Sequence, residues 1–130
     1  MNPSVQALIT YRLERADELL SDATFLLESN RLRSSVNRLY YAAFQAVSAL
    51  MVKHNISIKS HAGAKAMFEL HFVKTQRVSR QWGKFYALLS DNREESDYGA
   101  FTSFEEGEVM LLAAQTEEFI NIIKALIYSQ

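Results

Sequence analysis

The sequence predicts an all-α protein, an up-and-down bundle of four long helices plus one short helix. Glycine occurs four times in 130 residues and proline once, at position 3, so the chain has few places to turn and many where it can stay helical. Apolar residues recur at alternating steps of three and four over long stretches, the period of one helix face. No stretch alternates with period two for long enough to argue a strand. At 130 residues and 48% apolar, the chain is expected to form one domain over 1–130 with a real core. No internal repeat, linker or low-complexity tract interrupts it.

The first helix is expected from about Ser4 to Glu28, with Ile9, Leu13, Ala16, Leu20, Ala23 and Leu27 as its buried stripe. Arg12, Arg15, Glu18 and Asp22 fall on its solvated side, and Asn30 suits a left-handed stop. The second helix, about Leu32 to His54, is apolar nearly all round and should be central: Val36, Tyr40, Ala43, Val47 and Leu50 form one stripe, widened by Leu39, Phe44 and Met51. Its one polar line is Arg38, Tyr41, Gln45 and Ser48. Ser60 can cap a short third helix from His61 to Phe72, with Ala66, Met67, Leu70 and Phe72 available for burial. A polar loop from Val73 to Ser79 leads into the fourth helix, which starts near Arg80 and stops at Gly99, a residue suited to the position after a helix end. Ser103-Phe-Glu-Glu106 has the capping-box pattern and should open the fifth helix. The stripe of that last helix is Val109, Leu112, Thr116, Phe119, Ile123 and Leu126, with Ala113, Ile120 and Ile127 beside it. Long antiparallel bundles with a leftover apolar face pair readily, so a homodimer is expected.

Composition excludes several classes of function. Fourteen basic against fifteen acidic residues leave a formal charge of −1, which argues against a generic electrostatic nucleic-acid binder. Lys59, Lys65, Lys74, Arg77, Arg80 and Lys84 nevertheless make the middle of the chain locally positive. The absence of cysteine rules out disulfides, thiol catalysis and cysteine-ligated zinc. His54, His61 and His71 have no metal-ligand spacing, and there is no glycine-rich phosphate loop, so neither a metal nor another cofactor is expected. The start Met1-Asn-Pro-Ser4 lacks a basic region followed by an apolar core, and no uncharged apolar run approaches the ~18 residues that span a bilayer. A cytoplasmic protein with no membrane partner fits these features.

The chemistry gathers at the end of the fourth helix. Trp82, Phe85 or Tyr86, and Leu89 form an apolar stripe whose next i+4 steps are Arg93 and Asp97. A line that faces the core thus ends in a cation and a carboxylate, costly to bury unless paired. As an ordinary exposed i,i+4 pair it would contribute a few tenths of a kcal/mol at most, about 0.3–0.5. The basic-then-acidic order is the less favourable one, and the helix C-terminus disfavours Asp97, so Asp97 calls for a further partner, with Arg38 or Lys59 as candidates. His61 follows Lys59 and Ser60 at a helix start, where free N–H groups suit an anion such as phosphate. Of the tyrosine pair, Tyr40 reads as packing and Tyr41, on the polar line with Arg38, as the site candidate.

Three stretches together resemble one family. They are Asn37-Arg-Leu-Tyr-Tyr-Ala-Ala-Phe44, Lys59-Ser-His61-Ala-Gly63 with His71-Phe-Val-Lys74, and Arg93-Glu-Glu-Ser-Asp97-Tyr98. The chain is similar, over about residues 5 to 127, to the HEPN domain (higher eukaryotes and prokaryotes nucleotide-binding), in its small stand-alone branch called UPF0332. The resemblance implies a helical bundle, commonly dimeric, often paired with a minimal nucleotidyltransferase in toxin–antitoxin or defence modules. Many members are metal-independent ribonucleases that use an arginine and a histidine separated by four to six residues. Here Arg93 is present, but Tyr98, Gly99 and Ala100 stand where that histidine belongs, and no histidine follows Arg93 at all. Tyrosine, with a pKa near ~10, is a poor base at neutral pH.

The expected function is therefore binding of a nucleotide, RNA or a protein partner, the nucleotidyltransferase first, through Arg38, Tyr41, His61, Arg93, Asp97 and Tyr98. Arg38 and Arg93 would contact phosphate, Asp97 would orient an arginine, and Tyr98 would stack or hydrogen-bond. A ribonuclease toxin is the rival, with Arg93 and His61 as the catalytic candidates, provided the third helix brings His61 beside Arg93. A purely structural interaction module is the third reading.

Overall fold

The computed structural model describes residues 3–129. The reading of the first two residues as free of a secretory signal lies outside the described residues.

Five α-helices follow one another: α1 (Pro3–Glu28), α2 (Leu32–Lys53), α3 (His61–Phe68), α4 (Arg80–Tyr98) and α5 (Glu106–Tyr128). No strand occurs among the described residues. Side-chain pairs fix the directions. Ser35 donates to the Ala23 carbonyl and Arg12 to Gln45, so α1 and α2 run antiparallel. Asn37 reaches Asp97 while Tyr40 stacks on Tyr86, so α4 runs against α2. Lys53, the last residue of α2, reaches the Ile127 carbonyl, so α5 runs parallel to α2. The result is an up-and-down arrangement of the four long helices, with α3 packed against α2 and α4. α2 packs on every other α-helix, as its near-continuous apolar surface requires.

The core follows the stripes, with local shifts. α1 buries Ile9, Leu13, Ala16, Leu19 and Ala23; Leu19 takes the place expected of Leu20, which packs at the rim with Leu27. Asn30 adopts the expected left-handed conformation, φ 58°. On α2 the polar line ends one residue early, because Ser48 is buried rather than solvated. The third helix runs past Phe68 into a π-helical turn, Glu69–Val73. That wider turn places Phe72 and Val73 inward beside Ala64 and Phe68, leaving the expected core residues Ala66 and Leu70 exposed. Ser60 caps α3 as expected, its hydroxyl accepting the Gly63 N–H at 2.9 Å.

Two helix ends differ from expectation. Gly99 closes α4 with φ −81°, not in the left-handed region. Glycine is needed there for space: a Cβ would lie 2.5 Å from a Glu95 carboxylate oxygen and 2.7 Å from the Glu95 carbonyl. The capping box is not formed either, since α5 starts at Glu106 behind Glu105, without a side-chain cap. Ser103 stays in the connection because that segment is tied instead to α4, through Thr102 and Glu95.

Candidate functional site

The C-terminal half of α4 lies against the first turns of α2 and the start of α3. Arg93 continues the α4 stripe inward, and its side chain is only 12% exposed, against 25% for Asp97. The two pair at 3.3 Å. The further partner of Asp97 is neither Arg38 nor Lys59. It is Asn37, whose amide donates at 2.8 Å, while Arg38 donates to the other side of that amide. A neutral amide thus relays between Arg38 and Asp97, which leaves Arg38 exposed and available. The Arg93 Nε is buried with no acceptor among the described residues.

Tyr40 is the centre of the cluster. The Arg93 guanidinium sits over its ring, 5.1 Å from the centroid, a cation–π contact in a partly desolvated place. Its hydroxyl shares a 2.9 Å hydrogen bond with His61 Nδ1. Tyr41 meets Tyr40 and His61 edge-on at 5.3 and 5.7 Å, and Phe44 packs on the imidazole at 4.5 Å. α3 therefore does bring His61 to the Arg93 neighbourhood, with one phenol between them. His54 and His71 stay apart from it: His54 packs edge-on against Phe72, and His71 is exposed. Among the described residues, no group of three or more carboxylates and imidazoles is placed to hold a metal.

The charges follow from this packing. Burial pulls the Arg93 pKa down, but the hydrogen bond to Asp97 and the nearby tyrosines outweigh it, so Arg93 holds its proton more firmly than usual. Burial, then the Arg93 charge, lower the His61 pKa, so the imidazole is neutral at pH 7. Burial raises the Tyr40 phenol despite opposing effects from Tyr86 and Arg93. A phenol that keeps its proton beside a neutral imidazole is suited to donate to Nδ1. The ring proton then sits on Nε2, a donor for an anion and not an acceptor for a proton.

Four of the six expected residues, Arg93, Asp97, His61 and Tyr41, come together through Tyr40 and one ion pair, and Arg38 joins through Asn37. Tyr98 does not join them; it stands 80% exposed at the end of α4. Sequence reasoning placed Tyr40 in the packing and passed over Arg33. Arg33 Nη1 donates to the Glu95 and Ser96 carbonyls at 3.0 and 2.9 Å, and Nη2 to the Gly99 and Thr102 carbonyls. Two of these carbonyls belong to the last turn of α4 and two to the connection that follows it, and a cation is favoured at a helix C-terminus by the helix dipole. No local signal marks Arg33, because its acceptors are backbone groups 62 to 69 residues further along the chain.

A sequence model of the HEPN domain matches residues 9–126. A UPF0332 protein of Thermotoga maritima is 42% identical over 122 residues, 94% of this chain and 92% of the relative. A protein of Methanocaldococcus jannaschii named "Putative toxin MJ0605" is 32% identical over 95% of this chain and 92% of its own length. A UPF0332 protein of Gloeobacter violaceus is 29% identical over 94% of both chains.

Proposed function

We propose that this chain, which belongs to the HEPN domain family, is a toxin-type module that binds RNA through its phosphates at the Arg93–Tyr40–His61 cluster. One observation carries the reading: a cation and a carboxylate from α4 and a neutral imidazole from α3 are arranged around the Tyr40 phenol of α2, beside an exposed Arg38. Arg93 and Arg38 supply charge to a phosphate, and His61 Nε2 donates a hydrogen bond to it. Asp97 and Asn37 orient the two arginines. The names of relatives such as the Methanocaldococcus protein support the toxin class. A minimal nucleotidyltransferase is the proposed antitoxin partner. A homodimer is the proposed assembly, to be checked by sedimentation of the purified chain.

The test is RNA affinity, read by fluorescence anisotropy on a short labelled single strand at two salt concentrations. Arg93→Ala should weaken binding about ten-fold or more, and Arg38→Ala should weaken it less while flattening the salt dependence. Unchanged affinity in a folded Arg93→Ala protein sinks the reading.

The ribonuclease reading has one observation in its favour, the single phenol separating His61 from Arg93. It requires the opposite tautomer, with Nδ1–H donating to Tyr40 and Nε2 free to take the proton of a 2′-hydroxyl. RNA cleavage in EDTA that disappears in both His61→Ala and Arg93→Ala would establish it. Cleavage that survives His61→Ala would remove His61 from the chemistry.

A further inference from the structure

Behind Tyr40 lies a second buried phenol. The Tyr86 ring is parallel to that of Tyr40 at 6.1 Å between centroids, and stacks on Phe119 at 5.6 Å on its other face. Tyr86 is 1% exposed, and its buried hydroxyl has no hydrogen-bond partner in ordinary geometry among the described residues. Burial, then Tyr40, raise its pKa well above the usual phenol range, so Tyr86 keeps its proton. A buried O–H without an acceptor is costly. The Tyr40 phenol is the polar group that acts on it, and the action has a direction. Their interaction raises Tyr86 and lowers Tyr40, as it does when Tyr86 donates and Tyr40 accepts.

Donor accounting then decides the order of the chain. Each phenol carries one proton, and Tyr40 shares its 2.9 Å hydrogen bond with His61 Nδ1. If Tyr86 donates to Tyr40 and Tyr40 to Nδ1, both phenol protons have acceptors. The last donor is then Nε2–H, on a half-buried ring at the start of α3. In the reverse order Nδ1–H donates to Tyr40, Tyr40 donates to Tyr86, and the Tyr86 proton is left in the core with no acceptor. The forward order therefore delivers the free donor to the surface, where a ligand or solvent can take it. Ser90 also acts on the Tyr40 oxygen, but less than Tyr86 does, and it is half-buried, so its hydroxyl can turn to solvent instead.

We infer that Tyr86 is a positioning residue of the site: its hydroxyl, donating to Tyr40, holds His61 in the tautomer that carries its proton on Nε2, and so commits the imidazole to receiving an anionic oxygen. Tyr86 touches no ligand itself; it acts through Tyr40 and His61. The opposite tautomer, which the ribonuclease reading requires, is the one this chain opposes. The inference rests on the RNA reading only for the nature of the oxygen received, a phosphate; the tautomer is a property of the free protein.

The experiment reads the His61 tautomer by ¹H–¹⁵N correlation spectra of the imidazole nitrogens, on the full chain without ligand, at mildly alkaline pH where the ring is neutral. The wild type should show Nε2–H in about ten-fold excess or more, and Tyr86→Phe should lower that ratio about five-fold, the effect of one modest hydrogen bond. The phenylalanine keeps the stack on Tyr40 and Phe119, so a merely structural role for Tyr86 would leave the ratio unmoved. Ser90→Ala should change it little. RNA affinity should fall about two- to three-fold in Tyr86→Phe, less than in Arg93→Ala. A wild-type ring protonated on Nδ1 overturns the inference without any variant. So does a ratio that ignores Tyr86→Phe, or one that Ser90→Ala moves as far. A ratio that responds to Tyr86→Phe in a protein that binds no RNA upholds the positioning role and removes the RNA reading. RNA binding with an unresponsive ratio does the reverse.

Discussion

The two halves of α4 carry one stripe but are held by different forces. From Arg80 to Leu89 the stripe is aromatic and aliphatic. Trp82, Phe85 and Tyr86 surround Phe119 at ring separations of 5.6 to 5.9 Å, and Tyr86 meets Phe68 edge-on. From Ser90 to Tyr98 the stripe is polar: Arg93 is held by Asp97 and Tyr40, and the terminal carbonyls are held by Arg33. Burial is non-directional and tolerates any side chain of the right volume. Hydrogen bonds and ion pairs depend on donor identity and geometry. Stability should therefore reside mainly in the first half, and ligand selectivity in the second.

The sharpest way to break that contrast is at Phe119. Fully buried between the rings, it should cost about 3–5 kcal/mol on replacement by alanine, read by urea denaturation. Phe119→Leu should cost well under half of that. RNA affinity of the folded fraction should be unchanged in both. A Phe119→Leu protein of near-normal stability that has lost RNA binding would show that the two halves are not separable. Arg33→Ala should give the opposite pattern. Its four carbonyl bonds are mostly solvent-exposed, so the loss should be about 1–2 kcal/mol, but the last turn of α4 would loosen and Arg93 and Asp97 with it. Arg33→Lys cannot reproduce the fork and should rescue little of the RNA binding.

How much could be read beforehand divides along the same line. The first half of α4, and the bundle with it, follows from periodicity, because burial acts on every residue of a face at once. Arg93 and Asp97 were legible for the related reason that charges on an apolar stripe conflict with their surroundings. The Leu19-for-Leu20 exchange and the π turn after Phe68 were not legible, because they depend on how neighbouring helices rotate and on where Phe72 finds room. Gly99 was identified correctly as a stop, but for a steric reason that only the approach of Glu95 and Thr102 reveals. Arg33, Asn37 and Tyr40 were missed as site residues because their partners are distant in sequence and, for Arg33, carry no side-chain signature at all.

Tyr40→Phe probes the seam between the halves, since the ring stacks on Tyr86 and the hydroxyl serves His61. Removing one buried hydroxyl while keeping the ring should cost about 0.5–1.5 kcal/mol. The Arg93 contact with the ring face should survive, so RNA affinity should fall less than in Arg93→Ala. A loss as large as that of Arg93→Ala would make the His61 orientation, and not the cation, the dominant requirement.

The smallest effect concerns protons. Burial, then Arg93, lower the pKa of His61; burial, then Arg77, Lys53 and His71, lower that of His54. Both folded values thus lie below the ordinary ~6.5 of an unfolded histidine. The unfolded chain takes up these protons first as pH falls, so the contribution is fully present above ~6.5 and is lost progressively as pH drops through the folded values. Denaturation midpoints should accordingly decline on acidification in this window, before the carboxylates titrate. Histidine ring protons followed by NMR can assign the effect to each end of the molecule. Arg93→Gln should move the His61 midpoint upward and leave His54 where it is, because Arg93 bears on the first and not on the second. The His61 shift should be partial, since burial is the larger cause and remains. If His61 does not respond to Arg93→Gln, the two groups are electrically independent, and the polar half of α4 acts as separate contacts and not as one cluster.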